Sequence, residues 1–184
     1  MEILILKKSN LVFKDVKTPI GVMVFGSSEK GLCLLDFKYR KSFPRILKRI
    51  NEYYGDSITY GTSQFIELVE NELEMYLHGD LQIFTVPLDI RGSPFQLKVW
   101  NALLQIKYGM TASYLEIAKG IGSPTAVRAI ANANGQNSIA VIIPCHRIIG
   151  SDGSLTGYGG GIKIKKKLLD LESDNRTKKI TDFT

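Results

Sequence analysis

Soft metal ligands are scarce in this 184-residue chain, which has two cysteines, Cys33 and Cys145, and two histidines, His78 and His146. A closed four-ligand zinc site would consume all of them, and no C-x-x-C spacing supports one. In a reducing compartment both thiols stay free, so neither a metal nor a disulfide is expected. Long apolar runs are also missing. The stretch Ile3-Leu4-Ile5-Leu6 stops at Lys7-Lys8, short of the roughly 7–15 residues of a signal-peptide core or the ~20 of a membrane span. No low-complexity tract occurs, and 44% hydrophobic with 23% charged residues argues against a disordered chain. A soluble, cytoplasmic protein of one domain or two small ones is expected, with no membrane partner.

The charge is uneven. Residues 1–91 carry 12 basic and 12 acidic side chains, whereas residues 92–172 carry 9 and 4. A neutral unit followed by a basic one fits a polyanion-binding module joined to a neutral one. A solvated surface would give the same imbalance.

The first part reads as an α+β unit over 1–85. Short β-rich runs at Glu2–Leu6, Ile20–Phe25 and Gly31–Phe37 are punctuated by Pro19, Gly26 and Gly31. Cys33 alternates with Leu32 and Leu34, as a small buried hydrophobe would. Phe65, Val69, Leu73, Tyr76 and Leu77 recur at helical spacing behind Thr62-Ser63, with Gly79 as a stop. Residues 86–92 read as a connector, 93–172 as a second domain and 173–184 as a tail.

In that second domain Ser93-Pro94 opens a helix with Phe95, Val99, Trp100 and Leu103 on its buried face. Ser113-Tyr-Leu-Glu116 has capping-box form and starts a short helix ending near Gly120. Ser123-Pro124 starts another, running to Asn134 before Gly135. Two short helices about a glycine turn suggest a helix-turn-helix. Ala126, Ala129 and Ala133 make a smooth stripe beside Arg128, suited either to simple helix packing or to close approach to nucleic acid.

The unbroken run Ile139–Ile143 reads as a buried strand ended by Pro144. Cys145-His146-Arg147 follows at once, where a neighbouring imidazole and guanidinium would favour a thiolate. Spacing alone leaves open a buried structural cysteine. Beyond it Gly150, Gly153, Gly157, Gly159, Gly160 and Gly161 form a glycine-dense loop. Lys163, Lys165, Lys166 and Lys167 then begin a basic amphipathic helix ending at Glu172.

At Ile143-Pro144-Cys145-His146-Arg147-Ile148 the sequence resembles the O6-alkylguanine-DNA alkyltransferase family. The similarity runs from about Leu73 to Glu172 through Pro87-Leu88-Asp89, Val99-Trp100, Tyr108-Gly109, Ser113-Tyr114, Arg128-Ala129, Asn137, Gly157-Tyr158 and Gly160-Gly161. The resemblance implies an α+β fold with a ribonuclease-H-like N-terminal unit and a helical DNA-binding unit. It implies irreversible transfer of the alkyl group from O6-alkylguanine in duplex DNA to Cys145, with O4-alkylthymine as a further possible substrate. Transfer follows nucleotide flipping and minor-groove binding, by a monomer needing no cofactor.

By the same resemblance His146 deprotonates Cys145 through a water, Glu172 orients the imidazole, Asn137 ties the active-site turn, and Tyr114 assists the departing guanine. Arg128 fills the gap left by the flipped nucleotide. DNA contacts are implied for Ala126, Ala129, Thr125, Ser113, Arg147 and Lys165. The base pocket is implied to comprise Tyr114, Cys145, Ile148, Tyr158, Gly159 and Gly160. Two departures stand out: Gly159 occupies a position where relatives often carry serine, and Ser138-Ile139-Ala140 replaces a more proline-rich stretch. Two rival readings are a non-catalytic lesion binder and a cysteine hydrolase. The hydrolase is disfavoured because adjacent residues in an extended segment point to opposite faces.

Overall fold

The computed structural model describes residues 10–55 and 57–181, the last seven by backbone alone. The expected strand Glu2–Leu6 lies outside them. Three antiparallel strands, β1 (Leu11–Thr18), β2 (Gly21–Ser27) and β3 (Leu32–Phe37), form a meander. Helix α1 (Phe43–Tyr54) then crosses over and returns the chain as β4 (Ile58–Tyr60), parallel to β1. The strand order is β3-β2-β1-β4.

Alternation along β2 splits the core, and a register shift opposite Gly26 and Ser27 lets the adjacent Cys33 and Leu34 share one side. Val24, Cys33 and Leu34 face Ile46, Ile50 and Tyr54 of α1. Met23, Phe25, Leu35 and Phe37 join a larger cluster with Val69 and Tyr76. Cys33 is a buried strand residue, as expected, and burial pushes its thiol up to about 12. Helix α2 (Gln64–His78) starts where the Ser63 side chain accepts from the Ile66 amide and stops at Gly79, whose φ of 88° suits glycine.

The larger cluster continues into the second half through Trp100, Ile143 and Leu168. The segment read as a connector is zipped onto β3: the Leu32 amide donates to the Pro87 carbonyl at 2.8 Å, and the Asp89 amide to the Leu32 carbonyl at 2.8 Å. Helix α3 (Pro94–Leu104) carries a capping box between Ser93 and Gln96. A two-strand pairing of β5 (Ala112–Ser113) with β6 (Ile148–Ile149) brackets α4 (Tyr114–Gly120) and α5 (Val127–Asn134). Helix α6 (Ile162–Thr181) closes the described chain. No helix among the described residues is long and apolar enough to cross a membrane.

Several expectations need correction. Helix α5 starts at Val127 rather than Pro124, because the Ala126 amide bonds to the Ser123 carbonyl and residues 124–126 turn first. Ala133 faces inward at 3% exposure, so the alanine stripe reduces to half-buried Ala126 and exposed Ala129. Helix α6 does not end at Glu172 but passes through it.

Ile139–Ile143 is no strand. Only Ile139 makes a bridge, to Leu35, and the rest coils, with Val141 at φ 72°. The Asn137 side chain supplies the partners that a neighbouring strand would have given, accepting from the Ile139 amide at 2.9 Å and donating to the Ile143 carbonyl at 2.9 Å. An apolar run so stapled can be buried without a ladder.

Candidate active site

Cys145 sits on a single 3-10 turn, Cys145–Arg147, rather than at a strand end. The Arg147 amide donates to the Pro144 carbonyl at 2.9 Å and closes the turn. The thiol is 3% exposed. Burial raises its pKa, against a hydrogen bond from Asn137 and the charge of Arg40, which lower it. A resting thiol therefore needs a base to become a nucleophile.

The adjacent imidazole is fully buried, and its Nε2 lies 2.9 Å from Glu172 Oε1. A carboxylate acceptor at that distance assigns the proton to Nε2 and leaves Nδ1 as an acceptor. Nδ1 is buried with no protein partner among the described residues. Burial lowers the pKa of His146 despite the pull of Glu172, so the ring is neutral and able to take a proton.

Glu172 anchors the group. Its Oε1 accepts from the Tyr76 hydroxyl at 2.6 Å and from Arg147 Nη2 at 2.9 Å. Its Oε2 accepts from Arg147 Nε at 3.0 Å and the Gly109 amide at 3.1 Å. Burial alone would raise this carboxyl, yet His146 and Arg147 hold it down at about 2.

A cleft of about 570 Å³ opens over the thiol, lined by Tyr114, Cys145, Tyr158 and Gly159. Ile148 and Gly160, expected in the same pocket, stand behind it: Ile148 is wholly buried in β6, and Gly160 lies under the Phe37 ring. A Cβ at Gly160 would approach that ring to 2.6 Å. Gly160→Ala is therefore expected to cost about 1–3 kcal/mol through overpacking, seen as a lower urea midpoint with an unchanged slope. The Tyr114 hydroxyl accepts from Thr156 Oγ1 at 3.3 Å, which leaves its own proton free to be given into the cleft.

Residues 94–174 match the family model for the DNA-binding domain of 6-O-methylguanine DNA methyltransferase. A methylated-DNA–protein-cysteine methyltransferase of Methanosarcina barkeri is 46% identical over 165 residues, covering 90% of this chain and 99% of that protein. The chain belongs to the methylated-DNA–protein-cysteine methyltransferase family. The Mycobacterium bovis member is 49% identical over 140 residues, 74% of this chain and 84% of its own. The crystal structure of Mycobacterium tuberculosis OGT in complex with DNA aligns with a TM-score of 0.78 at 41% identity, covering 89% of this chain and 94% of that one.

Within this methyltransferase framework, Thr125, Arg128 and Ala129 are exposed, and Ala126 is half-buried beside them. Three expected DNA contacts are used otherwise. Arg147 is 8% exposed, locked onto Glu172 and donating to the Ile106 carbonyl at 2.5 Å. Lys165 is fully buried and donates to the Ile148 carbonyl and, at 2.9 Å, to that of Thr156, tying β6 to the glycine loop. Ser113 caps α4: its hydroxyl accepts from the Glu116 amide at 3.1 Å. The sequence signs that made the two cations look like phosphate ligands could not reveal that carbonyls and a carboxylate already hold them.

Sequence reasoning also missed Tyr76, Asp36 and Arg40. Helical spacing places Tyr76 in a helix core, where a buried hydroxyl needs a partner; that partner is Glu172. Arg40 Nη1 pairs with Asp36 at 2.8 Å and donates to the Asn137 carbonyl at 2.9 Å, while Nη2 donates to the Gly135 carbonyl at 2.5 Å. It clamps the end of β3 to the active-site turn. Among the described residues, no group of three or more His, Cys, Asp or Glu could hold a metal ion.

Proposed function

We propose that this chain repairs DNA by moving the alkyl group of O6-alkylguanine onto the sulfur of Cys145, directly and irreversibly. The observation that carries this reading is a buried thiol on the floor of an open cleft, next in sequence to a neutral imidazole backed by Glu172. The names and DNA complex of its relatives support the substrate.

The chemistry balances within the chain. The thiol proton passes to His146 Nδ1 through a bridging water, and sulfur attacks the alkyl carbon in line. The carbon–O6 bond breaks as the sulfur–carbon bond forms. Guanine, which leaves with negative charge developing on the ring, takes its proton from the Tyr114 hydroxyl. Glu172 is the positioning residue that fixes the His146 tautomer and offsets the imidazolium. Asn137 holds the turn that aims the sulfur.

The finer architecture follows the same reading. The meander with a parallel fourth strand after a crossover helix supports a ribonuclease-H-like N-terminal unit over 1–85, joined at 86–92 to a DNA-binding unit over 93–172. Helices α4 and α5, packed across a turn, support a helix-turn-helix. The small side chains Ala126 and Ala129 suit a minor groove only ~6 Å wide, with Arg128 entering the stack. Flipping costs a few kcal/mol, less for a weakened base pair. One chain supplies every group, which supports action as a monomer.

Titration with a duplex bearing one O6-methylguanine tests the reading. One methyl is expected to move per protein molecule, after which reaction stops. Continued turnover by the same molecules would contradict it.

A further inference from the structure

The neutral balance of the first half hides a local run: between Asp36 and Glu52 stand six basic residues and no acidic one. Three of these six cations are already engaged. Lys38 pairs with Asp15, Arg40 with Asp36, and Arg49 donates to the Gln136 carbonyl and lies over the Trp100 ring. Lys48 lies away from the thiol, in a shallow depression with Pro44 and Asn51.

Lys41 and Arg45 are different. Both are exposed, both line the cleft that contains Cys145, and neither side chain has an ion-pair or hydrogen-bond partner among the described residues. Ser42 lies between them in the same wall, its hydroxyl making no cap bond to α1. No acidic side chain lines this cleft. Its other walls come from Ala131 and Asn134 of α5, from Tyr114 of α4 and from the 157–159 loop. The cleft is thus formed between the two halves of the chain, with its free cations on the N-terminal wall.

We infer that Lys41 and Arg45 form a second DNA-binding surface, holding backbone phosphates of the strand that delivers its extruded nucleotide to Cys145. This rests on the alkyl-transfer reading and extends it, because duplex binding would then engage the N-terminal unit as well as α5. Phosphate is the ligand these groups suit: two solvent-facing cations and a hydroxyl beside the path of a flipped nucleotide, with no competing carboxylate. Contacts of this kind carry no base information and act through counterion release.

The test uses the full chain with Lys41→Ala/Arg45→Ala, and with Lys41→Arg/Arg45→Lys as the charge-preserving control. Affinity for a duplex containing O6-methylguanine is measured against salt, and alkylation of Cys145 is measured with free O6-alkylguanine base, which has no phosphate. The alanine pair is expected to reduce the salt slope by about 2 and to weaken low-salt binding on the order of tenfold. It should leave the unfolding midpoint and the free-base rate unchanged, and the control should keep the wild-type slope. An unchanged slope in the alanine pair would overturn the inference, as would a free-base rate falling in step with duplex binding. Wild-type reaction with the free base, run in the same series, separates either result from a failure of the transfer reading itself.

Discussion

Glu172→Ala is expected to destabilise the protein by about 3–5 kcal/mol, the usual consequence of leaving a buried charge without its partner. The carboxylate accepts from Tyr76, His146, Arg147 and the Gly109 amide. Its loss strands the Arg147 guanidinium, which is 8% exposed. For a chain of this size the melting temperature should drop by roughly 10 °C. Because the variant could be too unstable to assay, Glu172→Gln is the companion. Its amide oxygen still accepts, but its NH2 faces donors and no longer fixes the His146 tautomer. At a temperature where Glu172→Gln is folded, alkyl transfer should slow on the order of 10²-fold. The rate should recover as pH rises and the thiol ionises without help, a profile that a purely structural defect would not give. Acid should dissect the same group in the wild type. A carboxyl held at about 2 in the fold, against an ordinary 4.5, contributes stability that is complete above 4.5 and is lost as pH falls from 4.5 through 2. Glu172→Gln should lack that part of the acid transition.

Cys145→Ser is expected to abolish transfer while leaving duplex binding in place. Serine is smaller than cysteine and fits the same space, and the position is 3% exposed beside Asn137, which can hydrogen-bond a hydroxyl as it does a thiol. The chemistry differs far more. A serine hydroxyl ionises far more weakly than a thiol and is a poorer nucleophile toward an alkyl carbon, even with an imidazole beside it. Retained affinity for O6-methylguanine duplex with no methyl moved would separate the step from the recognition. Transfer at the wild-type rate would show that another atom accepts the group.

Much of this site was legible because it is local in sequence. Pro144-Cys145-His146-Arg147 is one contiguous string, and Ser93, Ser113 and Gly79 announce their helix ends through short-range hydrogen bonds. The sheet is legible in part: β2 and β3 show in the pattern, but Leu11–Thr18 does not, because Lys14, Asp15 and Lys17 interrupt its apolar residues. Nor does α1, although Ile46, Ile50 and Tyr54 repeat every four residues behind Ser42. What local pattern could not reveal was long-range pairing. Whether Arg147 meets a phosphate or Glu172, and whether Lys165 meets DNA or two backbone carbonyls, depends on elements 9 to 41 residues apart that only the fold brings together. Ile139–Ile143 failed for a related reason: an apolar run fits a strand or a buried turn equally well, and a single side chain, Asn137, decides between them.

The most direct measurement is the mass of the peptide containing Cys145, taken after the protein has cleared O6-methylguanine from a duplex. That peptide should gain one methyl in place of the thiol hydrogen, in an amount equal to the lesions removed, and the Cys33 peptide should gain none. Loss of the lesion with the Cys145 peptide unchanged would contradict the assignment of this sulfur as the acceptor.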